Sequence, residues 1–161
     1  MCTRQLQPQQ LERIAAKLTL CSRSLQTQIL TLHRELADTR AEIRASLQDL
    51  QDGIARLEEI DEYVREIQDE LFFQHEYKFT PEEVRSREEQ LEELREERQE
   101  EVTLLEHVRS ILGLHQASQQ KLREVIARLV RELSVVKRKE QLLVVLALRS
   151  RMVKVVPNKL F

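Results

Sequence analysis

From Leu11 to Leu71 the apolar residues of this chain return at steps of three and four. They run Leu11, Ile14, Leu18, Cys21, Leu25, Ile29, Leu32 and Leu36, weaken at Thr39, and resume as Ile43, Leu47, Leu50, Ile54, Leu57, Val64 and Leu71. A period near 3.5 is a helical seam, whereas a half-buried strand would alternate with period two. No other feature limits the fold as much. The spacing predicts one helix over 9–75, roughly 100 Å long at 1.5 Å per residue. Asp61 stands where the seam expects an apolar side chain, with Ile60 beside it, and Gly53 lies in phase inside the pattern. A glycine there costs about 1 kcal/mol relative to Ala, so it reads as a soft spot and not an end.

Composition supports long helices. The 161 residues hold 2 Gly and 3 Pro, too few for sandwiches, barrels or doubly wound sheets, which turn about every 8–12 residues. With 41% hydrophobic and 34% charged residues and no Trp, the chain is too apolar for disorder and too charged for a thick core.

One break is well marked. In Phe79-Thr80-Pro81-Glu82-Glu83-Val84, Thr80 is placed to cap a helix and Glu83 to reach back to it. Pro81 occupies the first helical position, where its missing N–H costs nothing. Phe79 can staple onto Val84. A second helix then carries Val84, Leu91, Leu94, Val102, Leu105, Val108 and Leu112, and Gly113 offers a left-handed close. After the polar link 115–118, a third carries Leu122, Val125, Ile126, Leu129, Leu133, Val136, Leu143 and Leu146, and Pro157 stops it.

The expected fold is all-α: a disordered start at 1–8, a long coiled-coil helix over 9–75, a hinge at 76–80, an antiparallel helical hairpin over 81–156 (helices 81–113 and 117–154), and a tail at 157–161. Each hairpin helix is about half as long as the first. The long seam therefore calls for a partner outside the chain: a second copy in a coiled-coil dimer, or another helical subunit. Residues 1–75 hold 9 Lys/Arg and 13 Asp/Glu, residues 76–113 hold 6 and 12, and residues 114–161 hold 11 and 3. The near-neutral total hides an acidic second helix and a basic third.

The motifs of catalysis are missing: no Gly-rich phosphate loop, no Gly-x-Ser-x-Gly and no His-Glu-x-x-His. His33, His75, His107 and His115 are scattered, and the eight-residue spacing of the last two makes at most a weak metal pair. The expectation is a non-enzyme with no cofactor and no metal site. The longest apolar run, Leu142–Leu148, is far short of the ~18 residues of a membrane span, which argues against membrane insertion. The start lacks the apolar core of a secretory signal, and Cys2 and Cys21 have no partner at metal-ligand spacing. The cytoplasm, at the cytoskeleton or spindle, or the nucleus is the expected location.

Two constellations could carry binding. Phe72, Phe73, Tyr77 and Phe79 are four of six aromatics, gathered at the first break. They form either a plug fixing the inter-helix angle or a docking patch for a partner. Arg128, Arg131, Lys137, Arg138, Lys139, Arg149, Arg151 and Lys154 make the last helix basic. Their plainest use is pairing across the hairpin with Glu88, Glu89, Glu92, Glu93, Glu96, Glu97, Glu100 and Glu101. An acidic protein surface such as tubulin is the alternative. No aromatic is interleaved for base stacking and no helix-turn-helix spacing stands out, which argues against nucleic acid.

Residues 81–114, with Leu91, Leu94, Arg95, Arg98, Val102, Leu105, Val108, Leu112 and Gly113 in place, resemble the spectrin-like rod repeats of the antiparallel-microtubule bundlers. That family comprises protein regulator of cytokinesis and its plant relatives. Residues 122–142 are similar to the following rod helix. Family members often carry a Trp before the Leu-Gly, absent here, and bind microtubules mainly through a repeat beyond the rod. The resemblance implies a dimerising, elongated rod without that repeat. The function expected is a non-catalytic coiled-coil scaffold, microtubule-associated as a spindle or cytokinesis cross-linker. The alternative is a helical adaptor subunit of a tethering, trafficking or nuclear complex.

Overall fold

The computed structural model describes residues 7–153, and it is all-α. Helix α1 runs Pro8–Phe72, α2 is a single turn at Gln74–Tyr77, and α3 runs Pro81–Val153. The expectations for 1–6 and 154–161, including Cys2 and Pro157, lie outside the described residues.

The α1 start and the 79–84 boundary follow the sequence closely. The capping box is complete. Thr80 N–H donates to Glu83 Oε2 at 2.7 Å, Thr80 Oγ1 donates to the same oxygen at 2.9 Å, and Glu83 N–H donates to Thr80 Oγ1 at 3.3 Å. These bonds satisfy donors that the first helical turn would otherwise leave open. Between the long helices Lys78 takes the left-handed conformation (φ 55) that closes α2, and Phe79 N–H donates to Gln74 O at 3.3 Å.

The break expected at Gly113 does not occur. Helix α3 is continuous through 113–118, so the hairpin of helices 81–113 and 117–154 is corrected to one helix of 73 residues. Gly113 does not adopt positive φ. One helical glycine costs about 1 kcal/mol, and its neighbours Leu112 and Leu114, with Gln116 and Ala117 beyond, are good helix formers. Leu112, His115, Gln119 and Leu122 are all half-buried at seven-residue phase, so packing carries the helix across the soft position. It follows that α1 finds its partner inside the chain.

The chain forms two compact units. One comprises residues 1–37 with 120–161, and the other residues 38–119. In the first, Leu25, Ile29 and Leu129 are buried together, flanked by Leu32, Val125, Leu133 and Val136. In the second, cross-helix pairs fix the direction. As α1 advances from Glu42 to Arg56, Asp61 and Glu70, the partners on α3 retreat from His115 to Glu101, Arg98 and Arg87. The helices of this unit are antiparallel.

The seam on α1 is stricter than the apolar letters suggest. Positions 11, 15, 18, 22, 25, 29, 32, 36, 39, 43, 46, 50, 53, 57, 60, 64, 67 and 71 are covered, an unbroken alternation of four and three, with Asp61 and Glu70 half-buried beside it. Leu11, Leu18, Leu25, Leu32, Leu36, Ile43, Leu50, Leu57, Val64 and Leu71 are among these covered positions. Ile14, Leu47 and Ile54 are not; they are 38%, 44% and 42% exposed. Ser22, Thr39, Ser46 and Gly53 occupy the seam and are buried. Ile60 takes the place beside Asp61 and is 7% exposed.

Candidate interaction surfaces

Charged residues flanking the seam bridge the two helices of the 38–119 unit. In the 38–119 unit Arg98 Nε donates to Asp61 Oδ1 at 2.6 Å and Arg56 Nη2 to Glu101 Oε1 at 2.8 Å. His115 Nδ1 lies 2.9 Å from Glu42 Oε2. Arg87 Nε stands 2.9 Å from Glu70 Oε2, near enough for charge pairing but out of line for a hydrogen bond. The hydrogen bond from Arg98 holds the Asp61 carboxyl below its ordinary value, and Asp61 raises Arg98 in return. The bond to Glu101 raises Arg56. The backbone and hydroxyl bonds from Thr80 lower Glu83.

These pairs correct the expected neutralisation of the acidic segment by the basic one. Both segments lie on the same helix, and the cross-helix partner found for Glu101 is Arg56 of α1. Glu89 and Glu92 pair locally, with Arg85 and Arg95. Arg128, Arg131, Lys137, Arg138, Lys139 and Arg149 are exposed. None of these six pairs with a carboxylate among the described residues. The side chain of Arg151 and all of Lys154 lie outside the described residues.

The aromatics at the break separate into two pairs. Phe72 and Phe73 meet edge-to-face with centroids 5.0 Å apart, and Tyr77 stacks on Phe79 at 5.5 Å. Phe72 is 79% exposed, Phe73 and Tyr77 are exposed, and Phe79 is half-buried. A plug would be covered; three of these four are not.

On α3 of the same unit, Glu96, Gln99, Glu100, Thr103, Leu104 and His107 line a shallow concavity of about 760 Å³. It is a single helix face, acidic at one end and apolar at Leu104. In the other unit Ile14, Leu20, Leu30, Val130, Val135 and most of Leu142–Leu148 are exposed. Among the described residues no cluster of three or more His, Cys, Asp or Glu could hold a metal ion, and no helix is long and apolar enough to cross a membrane.

Reading charge along helices conceals how the fold sorts it. Residues 1–37 with 120–161 carry 16 Lys/Arg against 5 Asp/Glu, net +11; residues 38–119 carry 10 against 23, net −13. The visible signal was the start of the chain, where residues 1–37 hold 5 basic and 2 acidic residues. Residues 38–75, with 4 basic and 11 acidic residues, mask that bias over 1–75 as a whole. In comparisons with protein-family models, with curated proteins and with solved structures, nothing matched this chain.

Proposed function

We propose that this chain is a non-catalytic coiled-coil scaffold that engages other proteins through its outward helix faces. The observation carrying this reading is the continuous four–three seam along α1. It commits the inward faces to helix pairing and leaves polar, basic and aromatic surface outside. The specific form we favour is a microtubule-associated scaffold of the spindle or cytokinesis apparatus. Its support is the set of exposed basic residues between Arg128 and Arg149 that have no carboxylate partner among the described residues, a surface suited to an acidic protein lattice.

Co-pelleting with stabilised microtubules at low and at physiological salt tests it. Binding should fade with salt, since exposed charge is screened over ~8 Å at physiological ionic strength. It should be lost with Lys137→Glu, Arg138→Glu and Lys139→Glu combined. No pelleting at low salt, or pelleting indifferent to that variant, would remove the microtubule reading. A second reading, a helical adaptor subunit of a tethering, trafficking or nuclear complex, draws on the exposed Phe72, Phe73 and Tyr77. It expects no polymer binding and a stable complex with other helical subunits that Phe72→Ser with Tyr77→Ser disrupts.

A further inference from the structure

We infer that the basic unit of one molecule docks on the acidic unit of a second copy of this chain. This goes beyond the scaffold reading and does not depend on which outside protein the scaffold holds. It is also a different self-association from pairing through the α1 seam, which is already occupied within the chain.

Three observations carry it. The first is magnitude: a unit of net +11 and one of net −13 belong to the same molecule. Two copies at low ionic strength thus always offer each other a complementary surface. Fields of this size steer and strengthen association between oppositely charged faces.

The second is availability. Lys137, Arg138 and Lys139 are exposed on α3, and Glu96 and Glu97 are exposed on the same helix in the acidic unit. No ion pair among the described residues engages any of the five.

The third is order. Along α3, exposed acidic residues are followed by exposed Leu104, and exposed basic residues are followed by exposed Val145. Two α3 segments laid parallel with one offset bring Glu96 opposite Lys137, Glu97 opposite Arg138 and Leu104 opposite Val145. Charge and apolar surface are then matched together. An antiparallel pairing that set Glu96 and Glu97 against Arg138 and Lys137 would bring Leu104 opposite Val130, which is also exposed, so charge and apolar surface match in either direction. The contact is heterologous: each molecule uses a different surface from its partner.

The test needs only the full chain, with no microtubules or other partner present. Sedimentation velocity at about 20 mM salt should show species heavier than one chain, and these should dissociate at roughly 300 mM, where screening acts within ~6 Å. Two variants follow: one with Lys137→Glu, Arg138→Glu and Lys139→Glu, the other with Glu93→Lys, Glu96→Lys and Glu97→Lys. Each alone should sediment as a monomer with unchanged helix content. Their equimolar mixture should associate, because one still brings an intact acidic unit and the other an intact basic unit. A misfolded variant could not be rescued in that way. A wild-type monomer at low salt, a mixture that stays monomeric, or association indifferent to both variants would overturn the inference. None of these outcomes bears on microtubule pelleting, which tests the basic surface against a different partner.

Discussion

At the scale of single residues, the two glycines of this chain have opposite meanings although both lie inside long helices. A Cβ on Gly53 would stand 2.5 Å from Leu105 Cδ2, 2.8 Å from Glu101 Oε1 and 3.2 Å from Leu105 Cγ. Leu105 is only 4% exposed and Glu101 is held by Arg56, so neither side chain moves freely. Gly53→Ala gains about 1 kcal/mol of helix propensity but forces an overpacked seam, at about 1–3 kcal/mol. The expected net effect is a loss of about 1 kcal/mol. Nothing lies within 4 Å of a Cβ on Gly113, so Gly113→Ala should stabilise by about 0.5–1 kcal/mol. Urea melts of both variants read these signs directly; equal shifts would mean that Gly53 is not a close approach. The same scale sets a pH response. Asp61 is held low by Arg98, and Glu83 by Thr80. A carboxyl whose folded value lies below its unfolded value, about 4, adds stability above that range and loses it as pH falls through the depressed folded value. Asp61→Asn and Thr80→Ala should each flatten the fall in melting midpoint between about pH 5 and pH 2. Unchanged slopes would show that neither bond persists in solution.

At the scale of elements, the phase of the seam is the quantity to test, and Ile54 and Ile60 separate the alternatives. Both are isoleucines on one helix, one 42% and the other 7% exposed. Ile60→Ala should cost about 2–4 kcal/mol, as core truncations do, whereas Ile54→Ala should stay below about 1 kcal/mol. Near-equal losses would restore the phase that runs through Ile14, Leu47 and Ile54. The letters alone favour that phase, because apolar residues stand at those positions. The structure departs from it where the seam is filled by Ser22, Thr39, Ser46 and Gly53. A facing helix can come close to a small residue and cover it, and single-helix periodicity does not register this. The Thr80 boundary was legible because capping chemistry is local, closed by residues three apart in sequence. The continuity of α3 across Gly113 was not, since it depends on Leu112, His115 and Gln119 meeting a surface that starts some seventy residues away in sequence, on α1. Of the binding surfaces, the aromatic cluster and the basic run were readable as lists. Their exposure, and the failure of acidic and basic segments to neutralise one another, followed only from the helix being single.

At the scale of the whole molecule, charge sorting makes salt act in opposite senses on association and on folding. Within the acidic unit, Glu88, Glu92, Glu96 and Glu100 form one ladder of like charges four residues apart, and Glu89, Glu93, Glu97 and Glu101 form another. Like charges at that spacing destabilise a helix. Against them stand the cross-helix pairs of Arg56, Arg98, Arg87 and His115, exposed enough to be weak individually. Salt screens attraction and repulsion alike, so the balance of numbers sets the sign. With 10 cations against 23 carboxylates in residues 38–119, repulsion outnumbers pairing even if every cation is matched. The melting temperature of the dilute, unassociated chain should therefore rise between about 20 and 500 mM sodium chloride, over the range in which self-association is lost. Glu96→Lys with Glu97→Lys puts a cation third in each ladder, so that two of its three four-residue steps pair opposite charges. It should raise the low-salt melting temperature and flatten the salt dependence. A melting temperature that falls as salt is added would show that the cross-helix pairs outweigh the ladders. The acidic excess would then not be an internal burden that a basic partner relieves.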